Sequence, residues 1–376
     1  MKIKLLVIVL LMVVTFLSGC ATQNNNSEEL IPVKVGDKWG YINTDGRIAI
    51  KPNFDDVSTF AKNGLACVKI DGKWGYIDKN GTFVVNPQFD WAFDFEENDL
   101  ACVIQNCKCG FINKTGELFI SPQFDNSYDF ADNGLAGIML NGKWGYIDKN
   151  GDIVINPQFD DASRFAKNGL AQVKVNGKWG YIDKTGNFVI NPQFNLAFDF
   201  AENGLARVVV DYKWGYIDET GKFVVNPQFD PAYEFAKIGL ARIRENDKFG
   251  YIDEKGNLII NPQFVNAWDF AENGLACVEV NGKYGYIDTI GNLIISPQFD
   301  WALKFAKNNL AAVELNGKMG YIDAAGNIVI KPQFYAAGVF GDNGLARVVV
   351  NGKCGLINNN GEFVVSPHFD DIKFER

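Results

Sequence analysis

The sequence predicts an all-β protein, an array of ten three-stranded antiparallel units in an open, curved or superhelical stack. Ten glycines recur at intervals of 35 residues without insertion or deletion, and ten prolines, from Pro52 to Pro367, recur at the same interval. Such strict spacing indicates one structural unit that is copied and stacked on its neighbours. A closed β-propeller or toroid is the alternative, although ten units exceed the four to eight blades typical of propellers. The glycines are Gly40, Gly75, Gly110, Gly145, Gly180, Gly215, Gly250, Gly285, Gly320 and Gly355.

The fifth unit shows the predicted strands most clearly. Residues 170–175, 178–183 and 187–190 are rich in β-branched and aromatic side chains, which favour strands. Asn176-Gly177 between the first two predicts a type I′ hairpin turn, because both central positions of that turn need a positive φ. The segment from Asp183 to Gly186 predicts a second turn, in which the carboxylate accepts backbone N–H groups. Each unit is therefore predicted to be a three-stranded meander.

The turn lengths also predict which residues face each other. The third strand is apolar on both faces, so it needs a cover on each side, and Pro192 is predicted to end it. The return segment, residues 193–200, is the candidate for the second cover, and its spacing of apolar residues favours a turn or a helical loop over a strand. The predicted opposing pairs are Lys174 with Trp179, Gln172 with Tyr181, Val173 with Gly180, Ile182 with Phe188, and Tyr181 with Val189.

The repeated motifs resemble a known family. Lys-Trp-Gly-Tyr-Ile-Asp, followed by Pro-Gln-Phe-Asp and Gly-Leu-Ala, is similar to the bacterial WG (KWG) repeat, and the resemblance covers residues 30–376. It implies a repeat architecture but no particular activity, because members of that family are mostly uncharacterised. The sequence departs from the pattern at Cys109, Phe249, Tyr284, Met319 and Cys354 in the Trp position, and at Phe111 and Leu356 in the Tyr position.

The first nineteen residues are predicted to be a lipoprotein signal peptide. Lys2 and Lys4 give a positive start, residues 5–16 are apolar but too few to span a bilayer comfortably, and Leu17-Ser18-Gly19-Cys20 resembles a bacterial lipobox. That resemblance implies a diacylglyceryl group on Cys20, which becomes the new N-terminus after cleavage. A secretory signal that is cleaved without lipidation is the alternative.

This reading divides the chain into three parts: the signal at 1–19, the lipidated cysteine with a flexible polar tether at 20–29, and the repeat array at 30–376. The tether reaches roughly 15–30 Å between coil and full extension. The protein is thus predicted to be exported and anchored to a membrane, at the cell surface or in a periplasm.

Charge and composition exclude some partners. The formal charge is −9, and it becomes −11 once Lys2 and Lys4 are removed with the signal. This acidity argues against nucleic acid and anionic lipid as main partners. A hydrophobic content of 47%, with 14% aromatic residues, is enough for a packed core.

No catalytic site, metal site or cofactor is predicted. His368 is the only histidine, and no histidine-based triad, phosphate loop or zinc motif is present. The Asp-x-x-Gly turns lack the alternating carboxylates of a calcium loop. The six cysteines after Cys20 show no metal-ligand spacing and are interpreted as small apolar fillers; they are Cys67, Cys102, Cys107, Cys109, Cys277 and Cys354.

Two repeated positions are interpreted as structural. A tryptophan that stacks on a ligand would not be exchangeable for Cys or Met within one array, so the Trp position is assigned to the core. A lysine precedes it in all ten units, from Lys38 to Lys353, and seven units carry an Asp after the Phe that can neutralise it. A cationic row that binds an anion is the alternative for these lysines. The tryptophans assigned to the core are Trp39, Trp74, Trp144, Trp179 and Trp214.

The return segment is the part of the unit that breaks the repeat symmetry. At two and four residues after its first Phe, some units carry large aromatic side chains and others carry Asp or Ser. An interrupted aromatic stripe suits contact with a glycan or a protein, and filling of gaps between units is the equal alternative. The candidate binding residues are Trp91, Phe93, Tyr128, Phe198, Tyr233, Trp268 and Trp301.

The leading functional hypothesis is a lipid-anchored, non-enzymatic scaffold of the cell envelope that binds an envelope protein or glycan. An envelope enzyme that acts on glycan through carboxylates, and a spacer with a purely structural role, are the alternatives. The sequence leaves the ligand, the oligomeric state and the number of membranes open.

Overall fold

The computed structural model describes residues 29–373, and these fold into a closed ring of ten small antiparallel sheets, a ten-bladed β-propeller. The described residues form 39 strands and no helix, and thus contain no helix that could cross a membrane. The all-β prediction is confirmed.

The strands follow one another in the same order in every blade. Blade 1 contains β1 (Ile31–Val35), β2 (Lys38–Ile42) and β3 (Ile48–Phe54); blade 2 contains β4 (Asp56–Val57), β5 (Ala66–Ile70), β6 (Lys73–Ile77) and β7 (Phe83–Phe89); blade 3 contains β8 (Trp91–Ala92), β9 (Leu100–Gln105), β10 (Lys108–Asn113) and β11 (Leu118–Phe124). Blade 4 contains β12 (Asn126–Ser127), β13 (Ala136–Leu140), β14 (Lys143–Ile147) and β15 (Ile153–Phe159); blade 5 contains β16 (Asp161–Ala162), β17 (Ala171–Val175), β18 (Lys178–Ile182) and β19 (Phe188–Phe194); blade 6 contains β20 (Leu196–Phe200), β21 (Ala206–Val210), β22 (Lys213–Ile217) and β23 (Phe223–Phe229). Blade 7 contains β24 (Ala232–Phe235), β25 (Leu240–Glu245), β26 (Lys248–Asp253) and β27 (Leu258–Phe264); blade 8 contains β28 (Ala276–Val280), β29 (Lys283–Ile287) and β30 (Leu293–Phe299). Blade 9 contains β31 (Trp301–Ala302), β32 (Ala311–Leu315), β33 (Lys318–Ile322) and β34 (Ile328–Phe334); blade 10 contains β35 (Ala336–Ala337), β36 (Ala346–Val350), β37 (Lys353–Ile357) and β38 (Phe363–Phe369); β39 (Asp371–Ile372) completes blade 1.

The blades have four strands, and the predicted three-stranded unit is wrong in this respect. The return segment begins with a short strand that pairs with the first long strand of the next repeat, as Asp161 pairs with Lys174 in blade 5. The return segment was expected to be a turn or helical loop covering its own repeat, and this expectation is also wrong. In blade 8 the pairing is reduced to one bridge between Ala267 and Val278.

Closure of the ring contradicts the predicted open stack and supports the alternative, a propeller. The last strand, β39, pairs with β1, so that Val33 faces Ile372 and Lys34 faces Asp371. Blade 1 is therefore built from both ends of the array. The side chains of Ile31, Val33 and Ile372 share one buried cluster with Leu356 and Phe369 of blade 10.

The first hairpin has the predicted register. Lys174 pairs with Trp179, Val173 with Gly180 and Gln172 with Tyr181. Asn176 and Gly177 both have positive φ, 51° and 78°, as a type I′ turn requires.

The register of the second hairpin differs from the prediction after its first pair. Ile182 faces Phe188 as expected, but Tyr181 faces Ile190 rather than Val189, and Trp179 faces Phe194. The two residue steps from Tyr181 to Trp179 in β18 are thus matched by four residue steps in β19. Strand β19 therefore bulges opposite the repeated glycine. A Cβ atom on Gly180 would lie 2.5 Å from the carbonyl oxygen of Ile190 and 2.6 Å from the nitrogen of Pro192. Only glycine allows this backbone approach.

Pro192 was expected to end the third strand, and this expectation is wrong. Strand β19 continues to Phe194, and Pro192 lies in the bulge, where no ladder donor is needed. The bulge keeps Phe194 in register with Trp179, and both side chains belong to the packing between blades 5 and 6.

The third strand was expected to be covered on both sides, and this expectation is wrong. Phe188 and Val189 are 43% and 44% exposed, whereas Ile190 is 3% exposed. The third strand is the edge strand of its sheet, so its first residues face solvent. The core lies between blades, where Tyr181, Ile190 and Phe194 of blade 5 contact Ala197 and Val208 of blade 6.

The ring has two different faces. The hairpin face carries the Asn-Gly turns, such as 176–177. The loop face carries the return loops that follow the short strands and the Asp-x-x-Gly turns, such as 183–186. The strand pairings fix this assignment, because Ala171 faces Ile182 at the loop end and Val175 faces Lys178 at the hairpin end.

Candidate functional site in the channel wall

The short strands and return loops line the central channel of the ring. Two cavities, of about 750 and 880 Å3, are each lined by return segments from several successive blades. Segments 35 residues apart in four blades meet around one space only on the side of a ring that faces its axis. Lys237, Glu272 and Lys307 line the first cavity, whereas Trp268, Leu303 and Gly338 line the second.

The seven aromatic residues predicted as a binding surface all lie on these return segments. Four of them are exposed, by 38–45%: Trp91, Phe93, Tyr128 and Trp301. Phe198, Tyr233 and Trp268 are half-buried. The structure distributes the seven over blades 3, 4, 6, 7, 8 and 9, so they form separate patches rather than one continuous stripe.

Six of these seven aromatic residues contact a residue in the repeated Trp position, and Phe93 packs against Trp91 instead. Tyr128 stacks on Trp144 with ring centroids 4.7 Å apart and an interplanar angle of 17°. Phe198 stacks on Trp214 at 5.2 Å and 24°. Trp91 instead packs against Trp74 of the preceding blade, at 5.3 Å. The aromatic residues are therefore held by ring contacts, and four of them remain exposed as well.

One aromatic patch joins blades 8 and 9. Trp268 lies 5.4 Å from Tyr284 and 5.5 Å from Trp301, and Tyr284 lies 5.1 Å from Trp301. We call these three residues the aromatic cluster. Glu279 lies at its edge, where it accepts a hydrogen bond from the Tyr284 hydroxyl at 3.3 Å and another from the side chain of Asn266. The cluster thus combines apolar ring faces with polar groups.

The cavity of about 880 Å3 adjoins the aromatic cluster, and the next blades carry smaller side chains than Trp268 there. Trp268 lines the cavity, and the corresponding positions of blades 9 and 10 are Leu303 and Gly338. The wall also carries cations. Arg347 pairs with Asp371 at 2.8 Å, whereas the ammonium of Lys304 has no ion-pair partner among residues 29–373. This is the place in the channel where the repeat symmetry is most clearly broken.

Acidic side chains also line the channel wall. Burial, together with the nearby charge of Glu96, raises the pKa of Asp129 to about 6. Burial also raises the pKa values of Asp199 and Asp269. The guanidinium of Arg164 lies 3.6 Å from Glu96. The described residues contain no group of three or more His, Cys, Asp or Glu side chains arranged to hold a metal ion.

Two arginines in the channel wall were missed from the sequence. The guanidinium of Arg242 lies 3.8 Å from the ring centroid of Tyr233 and 3.1 Å from Asp269 of the next blade. Arg207 lies 4.5 Å from the Phe198 ring and 3.2 Å from Glu234. The signal available in the sequence is the recurrence of an acidic residue 27 positions after each arginine. This spacing has meaning only when the blade boundaries are known.

Most lysines of the repeated row are paired with an aspartate. Six of the ten lysines form an ion pair with the Asp found 17 residues later, for instance Lys143 with Asp160 at 2.6 Å. The pairs are Lys38–Asp55, Lys73–Asp90, Lys108–Asp125, Lys143–Asp160, Lys283–Asp300 and Lys353–Asp370.

The other predicted positions lie as follows. Trp39, Trp74 and Trp144 are buried, whereas Trp179 and Trp214 are half-buried. Of the six cysteines after Cys20, only Cys107 is exposed, and none forms a disulfide. The ring of His368 contacts the carbonyl oxygen of Ser366 at 2.7 Å. Cys20 lies outside the described residues.

Comparison with known proteins identifies the repeat and the fold. The WG containing repeat matches ten consecutive segments, at 39–74, 74–109, 110–144, 144–179, 179–214, 214–249, 249–284, 284–318, 319–354 and 355–375. No curated protein sequence matches the chain. The crystal structure of a eukaryotic initiation factor superposes with a TM-score of 0.54 at 13% identity, over 92% of this chain and 96% of that one. The extracellular domain of the putative hybrid two component system BT4673 from B. thetaiotaomicron gives a TM-score of 0.33 at 10% identity, over 90% of this chain and 58% of that one. At 13% identity the likeness to the initiation factor shows the fold alone.

Proposed function

The chain belongs to the family of WG containing repeats, and on that premise we propose that it is a lipid-anchored binding scaffold of the cell envelope. Its partner is an envelope glycan, which binds at the aromatic cluster of blades 8 and 9. The protein holds this partner without chemically changing it. The lipid on Cys20 keeps the ring near the membrane.

The observation that carries the proposal is the aromatic cluster beside an open cavity. Trp301 exposes 40% of its surface, and Trp268 lines the cavity of about 880 Å3. A sugar ring has apolar C–H faces and a hydroxyl periphery, so it fits aromatic faces that are edged by polar groups. Glu279 and Asn266 supply those polar groups in this patch.

The use of the carboxylates supports a non-enzymatic role. The carboxylate of Asp183 accepts hydrogen bonds from the backbone N–H groups of Thr185 and Asn187, at 2.8 and 3.0 Å. Asp160 is engaged by Lys143 and by the backbone N–H of Asn176. Carboxylates at the positions of Asp183 and Asp160 recur around the ring, and carboxylates held in this way maintain structure.

The anchor is supported by the lipobox-like segment Leu17–Cys20 and by the polar tether that follows it. We expect the mass of the N-terminal peptide of the membrane-extracted protein to correspond to a chain that begins at Cys20 and carries a diacylglyceryl group. The Cys20→Ser variant is expected to lose this mass and to leave the membrane fraction. An unmodified Cys20 in the native protein contradicts the anchor.

Binding is tested with the whole protein, extracted in detergent, and a panel of envelope polysaccharide fragments. Trp301→Ala and Trp268→Ala are each expected to weaken binding by at least about tenfold, the loss of about 1.4 kcal/mol that is typical of an important contact residue. Tyr212→Ala is the matched control, because Tyr212 is an aromatic residue that is 89% exposed on a hairpin turn.

The outcomes separate the three classes of function. Unchanged binding by Trp301→Ala and Trp268→Ala contradicts the site. Capture of a partner that survives glycan removal but not protease treatment replaces the glycan by a protein. Turnover of any fragment contradicts the non-enzymatic role.

A further inference from the structure

The chain enters the ring on the loop face, at the mouth of the channel. Glu29, the first described residue, lines the cavity of about 750 Å3 together with return loops of blades 7–10. Its carboxylate accepts a hydrogen bond from the side-chain amide of Asn343 at 3.2 Å. From there β1 runs away from the loop face and reaches the hairpin face at Gly36. The tether therefore leaves the ring from one defined face.

We infer that the loop face lies towards the lipid bilayer and that the hairpin face, near which Trp91 and Trp301 lie, points away from it. The inference rests on the proposed anchor at Cys20 and adds an orientation to it. Only eight residues, 21–28, separate Cys20 from Glu29. The tether is therefore short relative to the ring.

The length of the tether decides whether the loop face or the hairpin face lies on the bilayer. To place the hairpin face on the bilayer, the tether would have to pass outward over two strand spacings, about 10 Å, and then along about 17 Å of strand, about 27 Å in total. Nine residue steps of flexible chain have a root-mean-square length of about 15–18 Å, and full extension gives only about 30 Å. The inverted ring would thus require an almost fully stretched tether, whereas the loop face can lie near the bilayer with a relaxed one.

Two of the candidate binding residues lie on the side of the ring that faces away from the membrane in this orientation. Trp301 pairs with Glu314, two residues before the hairpin tip at Asn316. Trp91 pairs in the same way with Ile104, two residues before the tip at Asn106. Both tryptophans therefore lie near the hairpin end of the channel wall. A partner would approach them from the side opposite to the membrane.

The chain supplies its own reporter of orientation. Cys107 lies at a hairpin tip and is the exposed one among the described cysteines, so a thiol-reactive fluorophore labels the hairpin face there. Lys184 is exposed in the 183–186 turn on the loop face. The double variant Cys107→Ser, Lys184→Cys moves the same label to the opposite face.

The test uses the whole lipidated protein in vesicles with nitroxide groups on the lipid headgroups, which quench nearby fluorophores. We expect at least about twofold stronger quenching of the label at position 184 than at position 107, because the two faces are separated by about 17 Å of strand or more. Equal quenching, or stronger quenching at Cys107, overturns the orientation, including the case in which the tether passes through the channel.

Failure of the anchor is distinguished from failure of the orientation. A protein that does not float with vesicles and carries no lipid on Cys20 contradicts the proposed function, and the orientation falls with it. A protein that floats but shows the reversed quenching contradicts the orientation alone. Cys20→Ser is the control, and its label is expected to escape quenching on both faces. Matching melting temperatures of the labelled variants exclude unfolding as the cause of a difference.

Discussion

The ammonium of Lys143 lies 2.6 Å from the carboxylate of Asp160, and the second oxygen of that carboxylate accepts the backbone N–H of Asn176 at 2.8 Å. Lys143 belongs to blade 4, and Asn176 is the hairpin tip of blade 5. One aspartate therefore fastens two neighbouring blades on the hairpin face. The Lys143 partner holds the pKa of Asp160 below its usual range.

This fastening predicts a graded response at Asp160. Asp160→Asn is expected to lower the melting temperature slightly, because the amide oxygen still accepts the N–H of Asn176 while the ion pair is lost. Asn195 does the same in the native chain, where it accepts the N–H of Asp211 at 3.0 Å. Asp160→Ala loses both contacts and is expected to melt at a lower temperature than Asp160→Asn.

The contribution of the Asp160 ion pair to stability should depend on pH. A carboxyl whose pKa is lowered on folding stabilises the protein above its unfolded pKa of about 4, and this contribution is lost as the pH falls through the folded value. The difference between native protein and Asp160→Ala should therefore shrink below about pH 4. Asp152→Asn, at an exposed position on the loop face, is the control. A constant difference across pH 2–7 contradicts the ion-pair contribution.

The repeated glycine predicts intolerance to a single methyl group. Gly180→Ala is expected to cost about 2–3 kcal/mol of unfolding free energy, because the new Cβ meets backbone atoms of β19 that cannot rotate away. Chemical denaturation measures this loss. Gly204→Ala separates crowding from backbone conformation, because Gly204 has a φ of 76° but nothing within 4 Å of its Cβ position, and its expected cost is about 1 kcal/mol. Equal costs at both sites would contradict the crowding explanation.

Ring closure predicts that Ile372 acts as a core residue. Its side chain is 3% exposed and packs with Val33 and Leu356, so Ile372→Ala is expected to cost about 2–3 kcal/mol in a denaturation curve. In an open array a residue so near the end would contribute little. Ile290→Ala is the control, because Ile290 is 69% exposed, and its effect should remain within about 0.5 kcal/mol.

The channel wall predicts a variant that is more stable than the native protein. Burial, aided by the charge of Glu96, raises the pKa of Asp129 to about 6. Its ionised form is therefore disfavoured by folding, and Asp129→Asn is expected to add about 2 kcal/mol or less to the unfolding free energy at pH 7.

The gain in stability of Asp129→Asn should also depend on pH. A carboxyl with a raised folded pKa reduces stability progressively as the pH rises from about 4 to about 6. The advantage of Asp129→Asn should thus be absent below about pH 4 and complete above pH 6. Asp132→Asn is a control at a nearby carboxyl. An Asp129→Asn variant that is less stable at pH 7 would show that the charge is needed, for example for its interaction with Arg164.

Local features of this fold follow from the sequence, and long-range ones do not. Asn176-Gly177 fixes the first hairpin because the turn needs two positive φ angles, and the register of Lys174 with Trp179 follows from that turn. The bulge at Gly180 was not predicted, because it depends on how the third strand crosses the second strand. Closure through Ile372 was not predicted either, since it depends on a rotation of one tenth of a turn between blades.

The sequence predicted which residues form the candidate site but not where they lie in the fold. The return segment was identified because its aromatic residues alternate with Asp and Ser between repeats. Their collection around a channel, and the meeting of Trp268 with Trp301 from the next repeat, required the closed ring. Arg242 was missed because its partner Asp269 belongs to another blade.

The sharing of blade 1 between the two ends of the array has a consequence for biosynthesis. During translation β1, β2 and β3 emerge before β39, and their sheet lacks its inner strand until Asp371 and Ile372 arrive. A nascent chain interrupted anywhere earlier retains an unsealed seam, with Val33 uncovered. Fastening this seam is thus a late step in folding, and it distinguishes closed rings from shorter fragments.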